Sequence, residues 1–354
     1  MRLKTLHWIL TIIAILLVFY ILYKLKYKRC IQIVMNEIPI IEGNTSAADA
    51  EVAALVTKYN EFSNVSSITD KFTNMPLHEY CFKSSYNTAR SGDYVSSKMI
   101  EAVLKRGCRF LDFEVFYIKD GNLFIPKVAV STDPNFVILD TLNSISLDEA
   151  LSTVATNAFS GTSPNSSDPI FVNLRIKSRD SNIYRAVAKS IDANLKQVAY
   201  DADINKSTNL RDVMRKAVIV FDKTMRPDYK QYAKCTDTAT GCFDLTNYIN
   251  LESGSEYLNK YHYTDLLNHA NTPPLLKDDN IRTTTTHMKM AVPDLIGNDI
   301  NPAFKEFVIK HGCQNVFYQF HIVDQNLKNY EEFFSDKLAG TVPLSVVLPH
   351  FAGQ

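Results

Sequence analysis

The chain has 354 residues and a mass of 40.1 kDa, enough for one large domain or two small ones. Lys+Arg and Asp+Glu both total 38, so no global charge recruits nucleic acid. Hydrophobic residues at 46% and charged residues at 21% are ordinary globular usage and exclude a disordered or fibrous chain.

The chain opens on an apolar run, Trp8 to Tyr23, with no charged side chain. It falls slightly short of the ~20 residues that cross a bilayer, and aromatic rings mark its ends. Lys24, Lys26, Lys28 and Arg29 follow where a cleaved leader would carry small residues. The reading is a single N-terminal membrane anchor over residues 1–29, with a signal peptide as the rival. Four basic residues after the run against Arg2 and Lys4 before it place the rest of the chain in the cytosol. Residues 30–74 mix small, polar and acidic side chains and read as a stalk with one helix, Ala48 to Tyr59. The six cysteines form no C-x-x-C pair and are expected as buried reduced thiols, including the nearest pair, Cys235 and Cys242. Four N-x-[ST] sequons start at Asn44, Asn64, Asn165 and Asn205.

From Pro76 on, strand-like and helix-like stretches alternate. Strands are expected near 79–84, 109–117, 123–130, 169–177, 216–222, 283–292 and 314–322. Helices are expected over 96–105, 147–159, 182–198, 302–310 and 327–337, with Ser146 and Glu149 as a capping box for the second. This α/β alternation suits a (β/α)8 barrel or a doubly wound sheet. Period-two geometry sharpens it: Asp112 and Glu114 share a face of 109–117, and Asn173, Arg175 and Lys177 share a face of 169–177, opposite wholly apolar faces. In a barrel, inward charge belongs at the carboxyl-end mouth.

One stretch carries a family likeness. Pro76-Leu77-His78-Glu79-Tyr80-Cys81-Phe82-Lys83-Ser84-Ser85-Tyr86-Asn87-Thr88, then Lys105-Arg106-Gly107-Cys108-Arg109-Phe110-Leu111-Asp112-Phe113-Glu114, resembles the opening of the X half of phosphoinositide-specific phospholipase C. Later stretches are similar to its Y half: Lys216 to Lys223, Met290-Ala291-Val292-Pro293, Asn301-Pro302, His311 to Val316, and Leu344 to Phe351 as a closing strand. The resemblance implies a (β/α)8 TIM barrel over 75–354, with an X-like half at about 75–200 and a Y-like half at about 210–354. It also implies phosphodiester hydrolysis at a membrane lipid by two histidines and a calcium ion, with a phosphoinositide head group as the partner.

By position, Asn87, Asp112 and Glu114 fall on calcium ligands, and Arg175, Lys177 and Lys223 on head-group contacts. The departures are as informative. Tyr86 stands at the first histidine, and a phenol is a poor base near neutrality. No histidine lies near Ile125, where the second belongs, which leaves Lys127 and His321 as replacement acid–base candidates. Arg175 takes the position of the last calcium ligand, either replacing the ion or forming a plain salt bridge, and Met290 takes that of a phosphate-binding arginine. Three readings follow: a catalytically impaired, membrane-anchored barrel that binds phosphoinositide or another phosphodiester; an active hydrolase with a non-standard acid–base pair; and a structural membrane protein with a vestigial pocket.

Overall fold

The computed structural model describes residues 43–59, 64–235, 241–295 and 300–353. The apolar run at 8–23 and its basic flank lie outside them. Among the described residues no helix is long and apolar enough to cross a membrane.

Among the described residues twelve strands follow in chain order: β1 (Tyr80–Phe82), β2 (Ser84–Ser85), β3 (Phe110–Asp120), β4 (Leu123–Val128), β5 (Ile145–Ser146), β6 (Ile170–Ile176), β7 (Ala217–Asp222), β8 (Leu251–Ser253), β9 (Leu258–His262), β10 (Met288–Val292), β11 (Asn315–Tyr318) and β12 (Thr341–Pro343). Eight are parallel neighbours in the order β8-β7-β6-β3-β2-β11-β10-β9, a barrel open only between β8 and β9. The expected barrel is thus present but not closed, and no helix separates β8 from β9. The expected strand at 123–130 is no barrel stave: β4 folds back antiparallel on β3, with Lys127 opposite Phe116. The closing strand expected at Leu344 to Phe351 is a helix, Leu344–Ala352, entered from β12, which pairs antiparallel with β1.

Two apolar layers result from strand alternation. Ile170, Val172, Leu174 and Ile176 of β6, with Leu111, Phe113 and Val115 of β3, face outward into the cluster shared with the helices. Phe82, Phe110, Phe171, Val218, Val220, Leu251, Leu258, Met288, Met290, Val292 and Phe317 fill the interior. Phe110 lies 5.0 Å from Phe171 and 4.9 Å from Phe317, ring centre to ring centre, so the barrel is a packed core rather than a pore. Met75, Leu77 and Tyr80 cap this interior at the amino-terminal end of the strands.

The helices obey local signals. Ser96 accepts from the Lys98 amide and opens Ser97–Lys105, whose Met99, Ile100, Val103 and Leu104 are buried. Ser146 accepts from the Glu149 amide at the start of Leu147–Ala158. Gly312, at φ 59°, ends Phe304–His311 in the left-handed conformation.

The stretch read as a stalk is docked from Gly43 on. Helix Gly43–Val56 buries Val52 and Leu55 in the outer cluster, and the Tyr59 hydroxyl donates to the Phe320 carbonyl at 2.7 Å. Glu51 accepts from the Asp93 and Tyr94 amides and from the Ser91 hydroxyl, clamping the loop after β2. Gly92 is needed there: at φ 151°, a Cβ would lie 2.6 Å from Glu51 Oε1.

Candidate functional site at the barrel mouth

The register of β3 against β6 sets Asp112 beside Asn173 and Glu114 beside Arg175. All four point inward at the carboxyl end, above the aromatic layer of Phe110 and Phe171. β2 brings Tyr86 and Asn87 to the same rim. Asn87 sits at φ 45°, a left-handed conformation that asparagine tolerates, and its backbone amide donates to Asp112 Oδ2 at 3.0 Å.

Arg175 occupies the centre of this group. Its Nε and Nη2 donate to the two Asp112 oxygens at 2.8 and 2.7 Å, Nη1 donates to Glu114 Oε1 at 2.6 Å, and Nη2 also reaches Asn87 Oδ1 at 2.5 Å. Asn173 Nδ2 adds a bond to Asp112 Oδ1 at 2.8 Å. Lys177 Nζ pairs with Glu114 Oε1 at 3.0 Å and donates to the Ser131 carbonyl, while the Ser131 amide donates to Glu114 Oε2. Every carboxylate oxygen is engaged, and two acids meet two bases. Burial alone would raise the Glu114 pKa, but Arg175 and Lys177 outweigh it and hold the carboxyl below its usual range. Burial opposes the charge on Arg175 too, and Asp112 leads the groups that raise its pKa in return.

Tyr86 lies over this group, with the guanidinium carbon of Arg175 4.4 Å from its ring centre. Burial pushes the phenol pKa well up, which removes it further from a base near neutrality. The other two acid–base candidates are elsewhere. Lys127 pairs with Asp120 at 2.8 Å along the β3–β4 hairpin. His321 follows β11 in a turn, and burial, with Arg90 nearby, pulls its pKa down to about 3. Neither touches the Arg175 group.

The expected head-group residue Lys223 is also misplaced. It pairs at 3.3 Å with Glu252, which Tyr229 and Lys230 hold on the outer side of β7 and β8. The inward residue on β7 is Asp222, paired with Lys260 of β9 and bonded to Thr224. Burial would raise the Asp222 pKa, but Lys260 chiefly lowers it. Strand phase on 216–222 points to Asp222. Lys260 carries no such signal, because β9 has no apolar run to announce it. Met290 lies deep in the interior, as a substituted arginine position permits.

The residues offered as calcium ligands do not fit that ion. A hard dication takes six to eight oxygens, whereas the oxygens of Asp112, Glu114 and Asn87 already bond a guanidinium, an ammonium and amides. Among the described residues no group of three or more His, Cys, Asp or Glu side chains is arranged to hold a metal.

The fold is a nearly closed parallel eight-stranded barrel with charge gathered at its carboxyl-end mouth. Residues 73–223 match the family model for the phosphatidylinositol-specific phospholipase C X domain, so this stretch is similar to that domain. Crystal structures of PLC21 from L. pealei and from S. officinalis share the fold. The first aligns at TM-score 0.56 and 16% identity over 78% of this chain and 39% of its own length. The second aligns at 0.55 and 16% over 77% and 37%. The chain therefore spans about two fifths of these relatives. A calcium-dependent phosphoinositol-specific phospholipase C from a Pseudomonas species aligns at TM-score 0.46 and 11% identity over 80% of this chain and 100% of its own. No curated protein matches the chain.

Proposed function

We propose that this protein is a membrane-associated lipid-binding barrel of the phospholipase C type that does not cleave phosphodiesters by the histidine and calcium route. The observation that carries this reading is Arg175 in contact with Asn87, Asp112 and Glu114, the three side chains that would have held calcium. Two functions are displaced at once. The cation is part of the chain, and the first histidine position is filled by Tyr86, which stacks on that cation.

What remains suits recognition of one phosphodiester group. An arginine has five N–H donors, and the four bonds above leave one on Nη1; Lys177 likewise keeps a donor. A polyphosphorylated head group needs several unpaired cations, and Arg175, Lys177 and Lys260 each have a carboxylate partner. The ligand class is therefore a singly charged phosphodiester such as phosphatidylinositol, and the apolar run at 8–23 would hold the mouth near it as an anchor. No observation favours the active-hydrolase reading, because Tyr86, Lys127 and His321 do not converge.

The test is release of soluble inositol phosphate from phosphatidylinositol by the full chain, with calcium and with chelator, beside sedimentation with vesicles of phosphatidylcholine alone, with phosphatidylinositol, or with its polyphosphorylated forms. The reading expects no release and retention on phosphatidylinositol vesicles. Turnover under either condition, or equal binding to all three vesicles, would overturn it.

A further inference from the structure

We propose that the barrel matures in an oxidising, glycan-adding compartment and that Asn205 carries an N-linked glycan. Two independent observations lead there. The first is the state of the cysteines. Cys235 and Cys242 form a disulfide at the surface, against the expectation of reduced thiols. Cys81, Cys108 and Cys313 are free and fully buried. An accessible disulfide is reduced by the thiol pool of the cytosol and persists where that pool is absent. Burial raises the pKa of these three thiols, Cys108 and Cys313 to about 12, so they do not exchange with the bond.

The second observation concerns the sequons, which the structure sorts. Asn165 is fully buried: Nδ2 donates to the Gly107 carbonyl at 3.1 Å, and Oδ1 accepts from Arg109 Nη2 at 2.7 Å and from Ser163. A glycan there is incompatible with the fold. Asn205 is exposed in the turn before β7. Its Oδ1 accepts from the Ser207 amide at 2.9 Å and the Ser207 hydroxyl at 2.6 Å, so the turn joins both defining residues of the sequon. The side-chain oxygen is thereby committed, while the acceptor nitrogen Nδ2 makes no bond among the described residues.

The inference reverses the orientation read from the charges flanking residues 8–23. It does not rest on the lipid-binding reading: cysteine state and glycan are measured without any ligand.

The experiment expresses the full chain, native N-terminus included, in a eukaryotic host. Mobility is read before and after peptide-N-glycosidase, and free thiols are alkylated in denaturant without reductant and located by mass. The expected result is a glycosidase-sensitive shift that Asn205→Gln and Ser207→Ala each remove and Ser207→Thr keeps, with Cys235 and Cys242 unalkylated until reduced. Absence of a shift in the parent chain, a shift unchanged in both sequon variants (as when Asn64 alone carries the glycan), or alkylation of Cys235 and Cys242 without reductant would overturn the proposal. Ser207→Ala leaves Asn205 in place, so a folding defect of Asn205→Gln cannot imitate the loss.

Discussion

Arg175 grips Asp112 side-on, Nε to Oδ1 at 2.8 Å and Nη2 to Oδ2 at 2.7 Å, across neighbouring strands on which Asp112 faces Asn173 and Arg175 lies two residues further along. Such a two-pronged pair in a buried setting is strong but conditional, because each ion depends on the other for its solvation. Replacing Arg175 with Met leaves Asp112 dependent on Asn173 and the Asn87 amide, and Glu114 on Lys177 and the Ser131 amide. The expected loss is about 3–5 kcal/mol of unfolding free energy, as for other buried pairs broken on one side. Urea denaturation of Arg175→Met measures it. Adding Asp112→Asn to the same chain should recover part of the loss, since the uncompensated charge is then gone.

Tyr86→His alone should yield no release of inositol phosphate. The substitution restores one imidazole, but Lys127 remains paired with Asp120 and His321 remains outside the Arg175 group, so no partner acid is in reach. Tyr86→Phe should be nearly neutral in stability, because the ring rather than the hydroxyl contacts Arg175. Tyr86→Ala should cost on the order of 1–2 kcal/mol through the lost ring–guanidinium contact. Thermal melts of the three variants distinguish these outcomes.

A fragment beginning at residue 70 should be markedly less stable than one beginning at 43. It lacks Val52, Leu55 and Tyr59, each buried against the barrel, and the Glu51 carboxylate that holds the loop from Ser91 to Tyr94. Full burial of a large apolar side chain is worth roughly 1.5–3 kcal/mol, so a drop of several kcal/mol is expected in denaturant titration. Glu51→Ala in the longer chain should expose the 91–94 loop to limited proteolysis before any global unfolding. Equal stability of the two fragments would mean that helix Gly43–Val56 is a passive appendage.

Much of the barrel was legible because strands near 109–117 and 169–177 advertise both faces: an outward apolar row and an inward row that turns polar. That alternation also placed Asp112, Glu114 and Arg175 at one rim. The closing parts were not legible, for physical reasons. β8 and β9 are short, and Glu252, Lys260 and His262 interrupt their apolar character, so neither announces itself by period. Leu344 to Phe351 is apolar enough for a buried strand or a helix, and periodicity alone does not arbitrate between them. The disulfide was missed because a spacing of seven residues has no diagnostic value without coordinates. Lys223 was misassigned for a simpler reason: a side chain one position along the chain from Asp222 falls on the other side of the barrel wall.

Acid should weaken the fold through Glu114 and Asp222. Both carboxyls are held below their ordinary range in the folded chain, by Arg175 with Lys177 and by Lys260 respectively. A folded pKa below the unfolded one contributes stability that is present above the unfolded value, ~4 for these side chains, and is lost as pH falls through the folded one. Asp168 runs the other way: burial raises its pKa to about 6, so its ionisation costs stability as pH rises from ~4 through about 6. The melting temperature should therefore rise modestly between pH 7 and 5 from Asp168, against any opposing titration, and fall below pH 4. Melts of Asp168→Asn and Glu114→Gln check the two limbs: the first should lose the Asp168-dependent rise, the second should soften the acid limb.

Calcium should leave this protein's stability unchanged, and one substitution should alter that. In Arg175→Glu the guanidinium is replaced by a third carboxylate beside Asp112, Glu114 and the Asn87 amide oxygen, an all-oxygen set of the kind a hard dication accepts. Without metal the variant should be strongly destabilised, because three acids then face Lys177 alone. With calcium at about 100 times its dissociation constant, binding to the folded state would return about 2.7 kcal/mol. Differential scanning of parent and variant with calcium and with chelator reads both expectations at once. A calcium-dependent rise in the parent's melting temperature, abolished by Asp112→Asn, would show that Arg175 yields its place to the ion and that the carboxylates remain ligands.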